Sequence, residues 1–408
     1  MTLPPLSLYI HVPWCVRKCP YCDFNSHGIG HDAALPEEAY VDALLADLDA
    51  DLEWAQGRPL ESVFIGGGTP SLFSAAAYAK LLDGISARIA LAETIEITLE
   101  ANPGTVERSR FEGYRRAGIN RLSLGVQSFD GEALQSLGRI HGGEDALRAF
   151  ATARAAGFDN INLDLMHGLP AQNVDKALQD IDTAIALGPE HISWYQLTLE
   201  PNTEFHSRPP RLPEEEILYD IQDAGHARLE QAGFGRYEIS AYARAARRSR
   251  HNLNYWRFGD YLGIGAGAHG KLSRRLAEDH LHIERRWKTR QPEAYLRRRH
   301  DPRGFLAGKR EIAPAERPIE FLMNALRLAD GVATPLWSSR TGLDRTVLEA
   351  CTEQARLRGL LGETTTRVQA SEQGLLFLND LLALCDESID SALSPDNGKS
   401  LERGDYEV

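Results

Sequence analysis

The sequence predicts an α/β fold, a partial (β/α)6 barrel followed by a small C-terminal α+β domain. Two observations carry this expectation. Through the first 240 residues, short strand-like segments alternate with longer segments of helical periodicity. Six such units in a row call for a parallel sheet with helices outside it. From about residue 302 the texture changes to helices and one hairpin-like stretch, which reads as a winged-helix-like module. Six units are too few for a closed eight-stranded barrel, so an open one is expected. A flat doubly wound sheet is the alternative that the pattern alone allows.

The strand candidates are Leu6–Val12, Ser62–Ile65, Thr94–Glu100, Arg121–Gln127, Asn160–Met166 and His191–Leu199. Each is near-continuously apolar or alternating, as strands buried on both faces of a parallel sheet are. Between the first two, Val41, Leu44, Leu45, Leu48 and Leu52 fall on one face of an amphipathic helix. Segments 72–89, 105–117, 143–156 and 173–187 share that periodicity, and Gly118 and Gly157 stand where helices should stop. A helix over Glu214–Gln231 and a short strand over Tyr237–Ser240 complete a first domain, residues 1–240. Residues 241–301 read as a connecting segment that holds the motif HNLNYW, and the basic run Arg244–Arg250 within it as a solvated loop or helix face. Residues 302–385 form the second domain, with helices over Ile319–Leu328 and Thr346–Leu357 and a hairpin over Arg367–Leu376. The polar stretch 386–408 is expected to be a disordered tail.

Composition narrows the function. A chain of 408 residues, 43% hydrophobic, suits two domains with real cores. A net charge of −13 repels nucleic acid and anionic membrane surfaces. The helix with Glu349, Glu353, Arg356 and Arg358 has no basic excess, so the winged-helix-like module is expected to serve as a lid or dock and not to bind DNA. No run approaches the roughly 20 apolar residues of a membrane span, and MTLPPLSLYI lacks the pattern of a signal peptide. A cytoplasmic protein is the expectation. Of five cysteines, three cluster, which argues against a disulfide framework; Cys351 and Cys385 read as buried, inert thiols.

The clustered three, Cys15, Cys19 and Cys22, lie on one tight loop, CVRKCPYC, directly after the first strand candidate. A [4Fe–4S] cluster is held by cysteine thiolates and normally takes four. Three leave one iron open, as catalytic metal sites keep an open position. The alternative is a zinc loop completed by His11 or His27. This loop resembles that of the radical SAM superfamily, in which the open iron takes the amino and carboxylate groups of S-adenosylmethionine. Further polar residues fall at strand ends, where βα folds gather their ligands. These are Gly66-Gly67-Gly68-Thr69-Pro70, Glu100 in LEANPG, Gln127 in LGVQS, Arg139 in LGRIH and Asp164 in NLDLMHGLP. Glycines admit a ligand close to the backbone, a carboxylate can hold ribose hydroxyls or an ammonium, and an arginine can pair with a carboxylate. The competing readings are an ordinary Gly-rich turn, a capping Glu, a loop Gln and surface ion pairs.

Together, YIHVPWCVRKCPYCDFNSH, GGGTPS, LEANPG, LSLGVQSFD, LGRIH, DLMHGLP and HNLNYWRFGDYLGIGAGAHG resemble the oxygen-independent coproporphyrinogen III oxidase-like proteins. Within that group they are most similar to the HemW-type heme chaperones, over roughly residues 6–385. The resemblance implies that Cys15, Cys19 and Cys22 hold a [4Fe–4S] cluster. It implies that Tyr9, Gly67, Gly68, Thr69, Glu100, Gln127, Arg139 and Asp164 contact S-adenosylmethionine, with the Tyr21 backbone near its adenine; Thr198 and His269 align more loosely with later contacts. Two departures point away from the coproporphyrinogen dehydrogenases. Phe24 stands where those enzymes carry a further cysteine, and only a few residues precede the first strand. HNLNYW offers His251 beside two aromatic rings, chemistry suited to heme, although capping and packing would explain it equally well. The function so implied is a heme chaperone that binds heme and delivers it to an acceptor hemoprotein such as a respiratory cytochrome. An electron donor such as flavodoxin and a homodimer are further implications. The alternative is an enzyme that decarboxylates coproporphyrinogen III to protoporphyrinogen IX.

Overall fold

A computed structural model describes residues 2–29, 34–105, 107–277 and 280–393. Its centre is a 12-stranded sheet. In chain order the strands are β1 (Leu6–Val12), β2 (Leu60–Gly67), β3 (Leu91–Ala101), β4 (Arg121–Gln127), β5 (Ile161–His167), β6 (His191–Gln196), β7 (Gly235–Glu238), β8 (Ala241–Ala243), β9 (Asp260–Ile264), β10 (His269–Ala277), β11 (His280–Lys288) and β12 (Leu306–Glu311). Strands β9, β1, β2, β3, β4, β5 and β6 pair in parallel in that order. Antiparallel strands extend both edges, β10 to β12 beyond β9 and β8 and β7 beyond β6. All six expected strands are present. The parallel strand β9 and the β10–β12 extension were not anticipated. Asp260–Ile264 is too short to stand out in a sequence, and its parallel partner β1 lies at the far end of the chain.

The longer helices between the strands are α1 (Glu37–Asp51), α2 (Ala75–Ser86), α3 (Arg108–Arg116), α4 (Gly143–Ala155), α5 (Val174–Leu187) and α6 (Glu215–Gln231). Their apolar stripes cover the sheet. Tyr40, Val41, Leu44 and Leu48 of α1 and Tyr78, Leu81 and Ile85 of α2 are buried with Leu8, Ile10, Val63 and Ile65 in one core. The basic run Arg244–Arg250 is mostly solvent-facing, as expected. It leads into α7 (Arg250–Trp256), the helix of the HNLNYW motif, whose N-cap Ser249 accepts from the Asn252 N–H.

A second core holds α8 (Arg317–Ala325), α9 (Pro335–Thr341), α10 (Arg345–Cys351), α11 (Glu353–Leu357), α12 (Glu372–Leu376) and α13 (Leu378–Leu393), built on Phe321, Trp337, Leu348, Val368 and Leu381. Cys351 and Cys385 are fully buried within it. Three local expectations are corrected here. The hairpin over Arg367–Leu376 does not form: Arg367–Val368 pairs with the distant Val332–Ala333, and Ser371 caps α12 by accepting from Gly374 N–H. The helix over Thr346–Leu357 breaks at Thr352, whose hydroxyl turns back onto the Leu348 carbonyl at 2.6 Å. Residues 386–393 belong to α13, held by buried Ile389; the rest of the expected tail, 394–408, lies outside the described residues.

A buried ionic cluster ties α1 to the sheet extension. Lys288 on β11 reaches Asp47 and, at 2.7 Å, Asp51 of α1. Arg286 meets Asp51 at 2.9 Å, and Tyr295 and the Gly265 N–H both donate to Asp47. Removing one partner strands the other charges out of water. Lys288→Ala is therefore expected to lower unfolding stability in urea by about 3–5 kcal/mol, and a loss below 1 kcal/mol would show that water reaches the cluster.

Candidate functional site

Side chains alternate across a strand, and here the inward set is polar. Arg121, Ser123, Gly125 and Gln127 on β4, Asn162, Asp164 and Met166 on β5, and Ser193 and Tyr195 on β6 line one cavity of about 450 Å³. Phe64 on β2 and Glu100 on β3 complete its wall, the cysteine loop lies across its rim, and Asn252 and Trp256 of α7 close another part. The cavity thus runs along the inside of the parallel strands, from their first residues to their last.

The cysteine loop is held by backbone packing. Gly68 N–H and Thr69 N–H donate to the carbonyls of Val12 and Trp14 at 2.8 and 2.7 Å. A Cβ on Gly68 would sit 2.5 Å from the Trp14 carbonyl oxygen, and one on Gly67, at φ +117°, would strike the His11 ring. Asn25 donates to the carbonyls of Ala266 and Arg290, so the loop after β9, within LGIGAGAHG, and the loop after β11 both hold the cysteine loop. Both ring nitrogens of His11 are engaged, Nδ1 with the Tyr9 hydroxyl at 3.0 Å and Nε2 with the Asn25 carbonyl at 2.9 Å. That occupation disfavours His11 as a zinc ligand.

Charges concentrate where the strands end. Arg139 lies 3.6 Å from Cys19 Sγ, donates to the Gly125 carbonyl, and keeps a buried, unpartnered Nε. Gln127 holds φ +68° beside a bulge that re-aims the strand end, and its Oε1 accepts from the Tyr195 hydroxyl at 2.7 Å. Glu100 accepts from Gly67 N–H at 3.1 Å. Burial, and then the neighbouring Asp164, push its carboxyl up to about 8. Burial also raises Asp164, opposed by bonds from Ser123, Asn162 and Ser193. Burial pushes the Cys15 thiol up to about 11 despite a bond with Thr69, so a thiolate there calls for the charge of a bound metal.

A model of the radical SAM superfamily matches residues 9–184, and one of the HemN C-terminal domain matches residues 312–377. The heme chaperone HemW of Escherichia coli K12 is 51% identical over 94% of this chain and 98% of its own length. The chain belongs to the HemW family. HemW of Haemophilus influenzae is likewise 51% identical over 94% of this chain and 98% of its own. The mitochondrial radical S-adenosyl methionine domain-containing protein 1 of Bos taurus is 35% identical over 91% of this chain and 82% of its own. The solved coproporphyrinogen III oxidase (HemN) of Escherichia coli superposes with a TM-score of 0.76 over 94% of this chain and 90% of that one. At 21% identity it shows the shared fold.

Membership of the radical SAM superfamily implies a [4Fe–4S] cluster and S-adenosylmethionine. The donor set of this HemW-family chain fits both. Cys15, Cys19 and Cys22 carry free thiols on one cavity, and Gly67, Gly68, Thr69, Glu100, Gln127, Arg139, Asp164 and Tyr21 line the same space. Thr198 lines it too. Tyr9, His251 and His269 are not among the lining residues. Tyr9 and His251 stand behind Phe64, with ring centroids 6.3 and 5.1 Å from it, and His269 pairs with Trp287 on the antiparallel strands β10 and β11. Burial, aided by Arg121, lowers His251 to about 3, so the imidazole is neutral at physiological pH. Sequence reasoning missed Arg121, Asn162, Tyr195 and Glu238, all on the cavity wall. The period-two pattern of Arg121, Ser123, Gly125 and Gln127 was the available signal for the first.

The tight approach of Gly68 to the Trp14 carbonyl sets a test. Gly68→Ala is expected to push β2 off the Trp14 carbonyl, costing about 1–3 kcal/mol. The Cys15 thiol, 8% exposed in the native loop, should then react several-fold faster with a thiol reagent; unchanged labelling would show that the loop tolerates the shift.

Proposed function

We propose that this protein is a heme chaperone, which takes up heme and passes it to an acceptor hemoprotein such as a respiratory cytochrome. The observation that carries this reading is 51% identity, over nearly the whole of both chains, to relatives named heme chaperones. Phe24 in place of a further cysteine supports it against the decarboxylase alternative. Cys15, Cys19 and Cys22 would hold the cluster. Arg139, Gln127, Glu100, Asp164 and the Gly67–Thr69 backbone would position S-adenosylmethionine, with Tyr9 behind them. A cluster held there would supply one-electron chemistry beside the S-adenosylmethionine site. Arg139 holds positive charge beside the Cys19 sulfur, and Tyr195 keeps Gln127 turned into the cavity. His251 offers an unpartnered Nε2 to heme iron, and to reach it the ring must leave the layer behind Phe64. A flavodoxin-like electron donor and a second copy of the chain complete the proposed partners. Among the described residues no helix is long and apolar enough to cross a membrane.

The decisive assay uses anaerobically reconstituted protein. We expect stoichiometric heme uptake followed by transfer to an apo-cytochrome, and no protoporphyrinogen IX from coproporphyrinogen III, S-adenosylmethionine and a strong reductant. Protoporphyrinogen IX without heme transfer would replace this reading by the decarboxylase.

Glu100 sets the pH behaviour of cofactor binding. Its folded value, about 8, lies above the unfolded range of about 4.3. Its contribution to the stability of the empty protein is therefore present below that unfolded range and lost as pH rises through 8. A cationic sulfonium favours the carboxylate, so its binding expels the proton. Affinity for S-adenosylmethionine should rise about tenfold per pH unit below 8 and level above it. Calorimetry of Glu100→Gln should give a flat profile; a slope retained in that variant would assign the proton elsewhere.

A further inference from the structure

Arg121 is the first residue of β4, 2% exposed, and its side chain lines the cavity. Its Nε is buried without a hydrogen-bond partner, and among the described residues no carboxylate lies within ion-pair distance of its guanidinium. Asp164, whose titration Arg121 influences, is already served by neutral donors, Ser123 at 2.9 Å and Asn162 at 2.7 Å. Glu238, also on the wall, is paired with Arg327 at 3.5 Å. A buried guanidinium left in this state is costly, and an anionic ligand group would relieve that cost. A second donor on the wall is unfilled as well, the indole N–H of Trp256.

The position separates this end from the cluster end. Arg121 and Gln127 are the first and last residues of one strand, so their backbones stand roughly 20 Å apart at about 3.3 Å per residue. A cofactor tethered at the cysteine loop by its own carboxylate leaves Arg121 for a different anion. The chemistry favours a carboxylate. A guanidinium takes one as a bidentate pair, and the tetrapyrrole of the heme reading carries carboxylates and no phosphate. Apolar lining from Phe64 and Trp256 suits a flat hydrophobic body attached to that carboxylate.

We propose that Arg121 is the anion-recognition residue at the inner end of the cavity and binds a carboxylate-ended side chain of the tetrapyrrole cargo. This rests on the heme reading above and adds to it where the cargo's acidic edge lies.

The test compares heme with its dimethyl ester, in which both propionates are uncharged, by absorption titration of the reconstituted full chain. Wild-type protein should bind heme at least tenfold more tightly than the ester. Arg121→Gln should bind both alike, at the affinity the wild type shows for the ester, and Arg121→Lys should recover part of the preference. Equal wild-type affinities for the two porphyrins would overturn the proposal without using any variant. A full preference retained in Arg121→Gln would overturn it as well. If the wild type binds neither porphyrin, the heme reading itself falls, and this assignment with it.

Discussion

A single hydrogen-bonded chain through the inside of the sheet ties the HNLNYW helix to the cavity wall, and Asn162 is its hub. The Asn162 amide donates to Ser123 and Asp164, both at 2.7 Å, and its oxygen takes the bond from His191 Nδ1 at 2.6 Å. His191 Nε2 meets the Tyr237 hydroxyl at 2.8 Å, and the Tyr237 oxygen receives the Ser249 N–H. Ser249 caps α7. Burial keeps His191 well below its ordinary range, so the ring is neutral. With Nδ1 donating to Asn162, Nε2 is the acceptor for Tyr237. Every link in this series has one workable direction, as a buried network requires. It runs from a carboxylate on the cavity wall to the helix that carries HNLNYW, so the motif is hydrogen-bonded through to the cavity wall.

The cysteine loop depends on a different constraint, close backbone contact. Gly68 against Trp14, Gly265 against the His11 carbonyl and Gly267 against Asn25 leave no room for a Cβ. These contacts join the GGGTP turn after β2, the first strand and the loop after β9, three places far apart in sequence. The glycines read from the sequence as a way to admit a ligand therefore have a prior task. They let three backbone segments meet beneath the loop, and the cavity surface is what remains above them. The buried charges Asp47, Asp51, Arg286 and Lys288 brace the same region from outside, because Asp47 also binds Gly265 N–H.

The parallel strands were legible because they are buried on both faces and bounded by clear helical periodicity. β1 and β4 match their predicted limits residue for residue. The short and irregular pieces were not. β9 has five residues and owes its place to β1 and to antiparallel β10 on its other side. The strand at Arg367–Val368 exists through its pairing with Val332–Ala333, a partner that no local pattern names. Within the site, Cys15, Cys19, Cys22, Glu100 and Gln127 stood out because they end strands or sit in an unusual spacing. Arg121, Asn162 and Ser193 begin or lie inside strands, where a polar residue looks like an ordinary break in apolar pattern. Their meaning comes from the curvature that turns one face of the sheet into the wall of a cavity.

The HNLNYW helix shows why residue type alone does not assign a role. In a helix, positions three or four apart share a face. Asn252 and Trp256 share one, and it looks into the cavity. His251 and Asn254 share another, which faces the strands: His251 Nδ1 lies 3.2 Å from Ser62 Oγ, and Asn254 bonds Ser7 and the Asp260 carbonyl. That second face pins α7 to β1, β2 and β9. A change at His251 thus removes an imidazole and loosens the helix that presents Trp256, and loss of heme in such a variant would follow from either cause. The two causes part at the iron. A lost ligand alters the spectrum of the heme that still binds, whereas a loosened helix lowers occupancy and leaves that spectrum unchanged. Only the first would make His251 a ligand; the second would leave it a packing residue beneath the wall on which Asn252 and Trp256 stand.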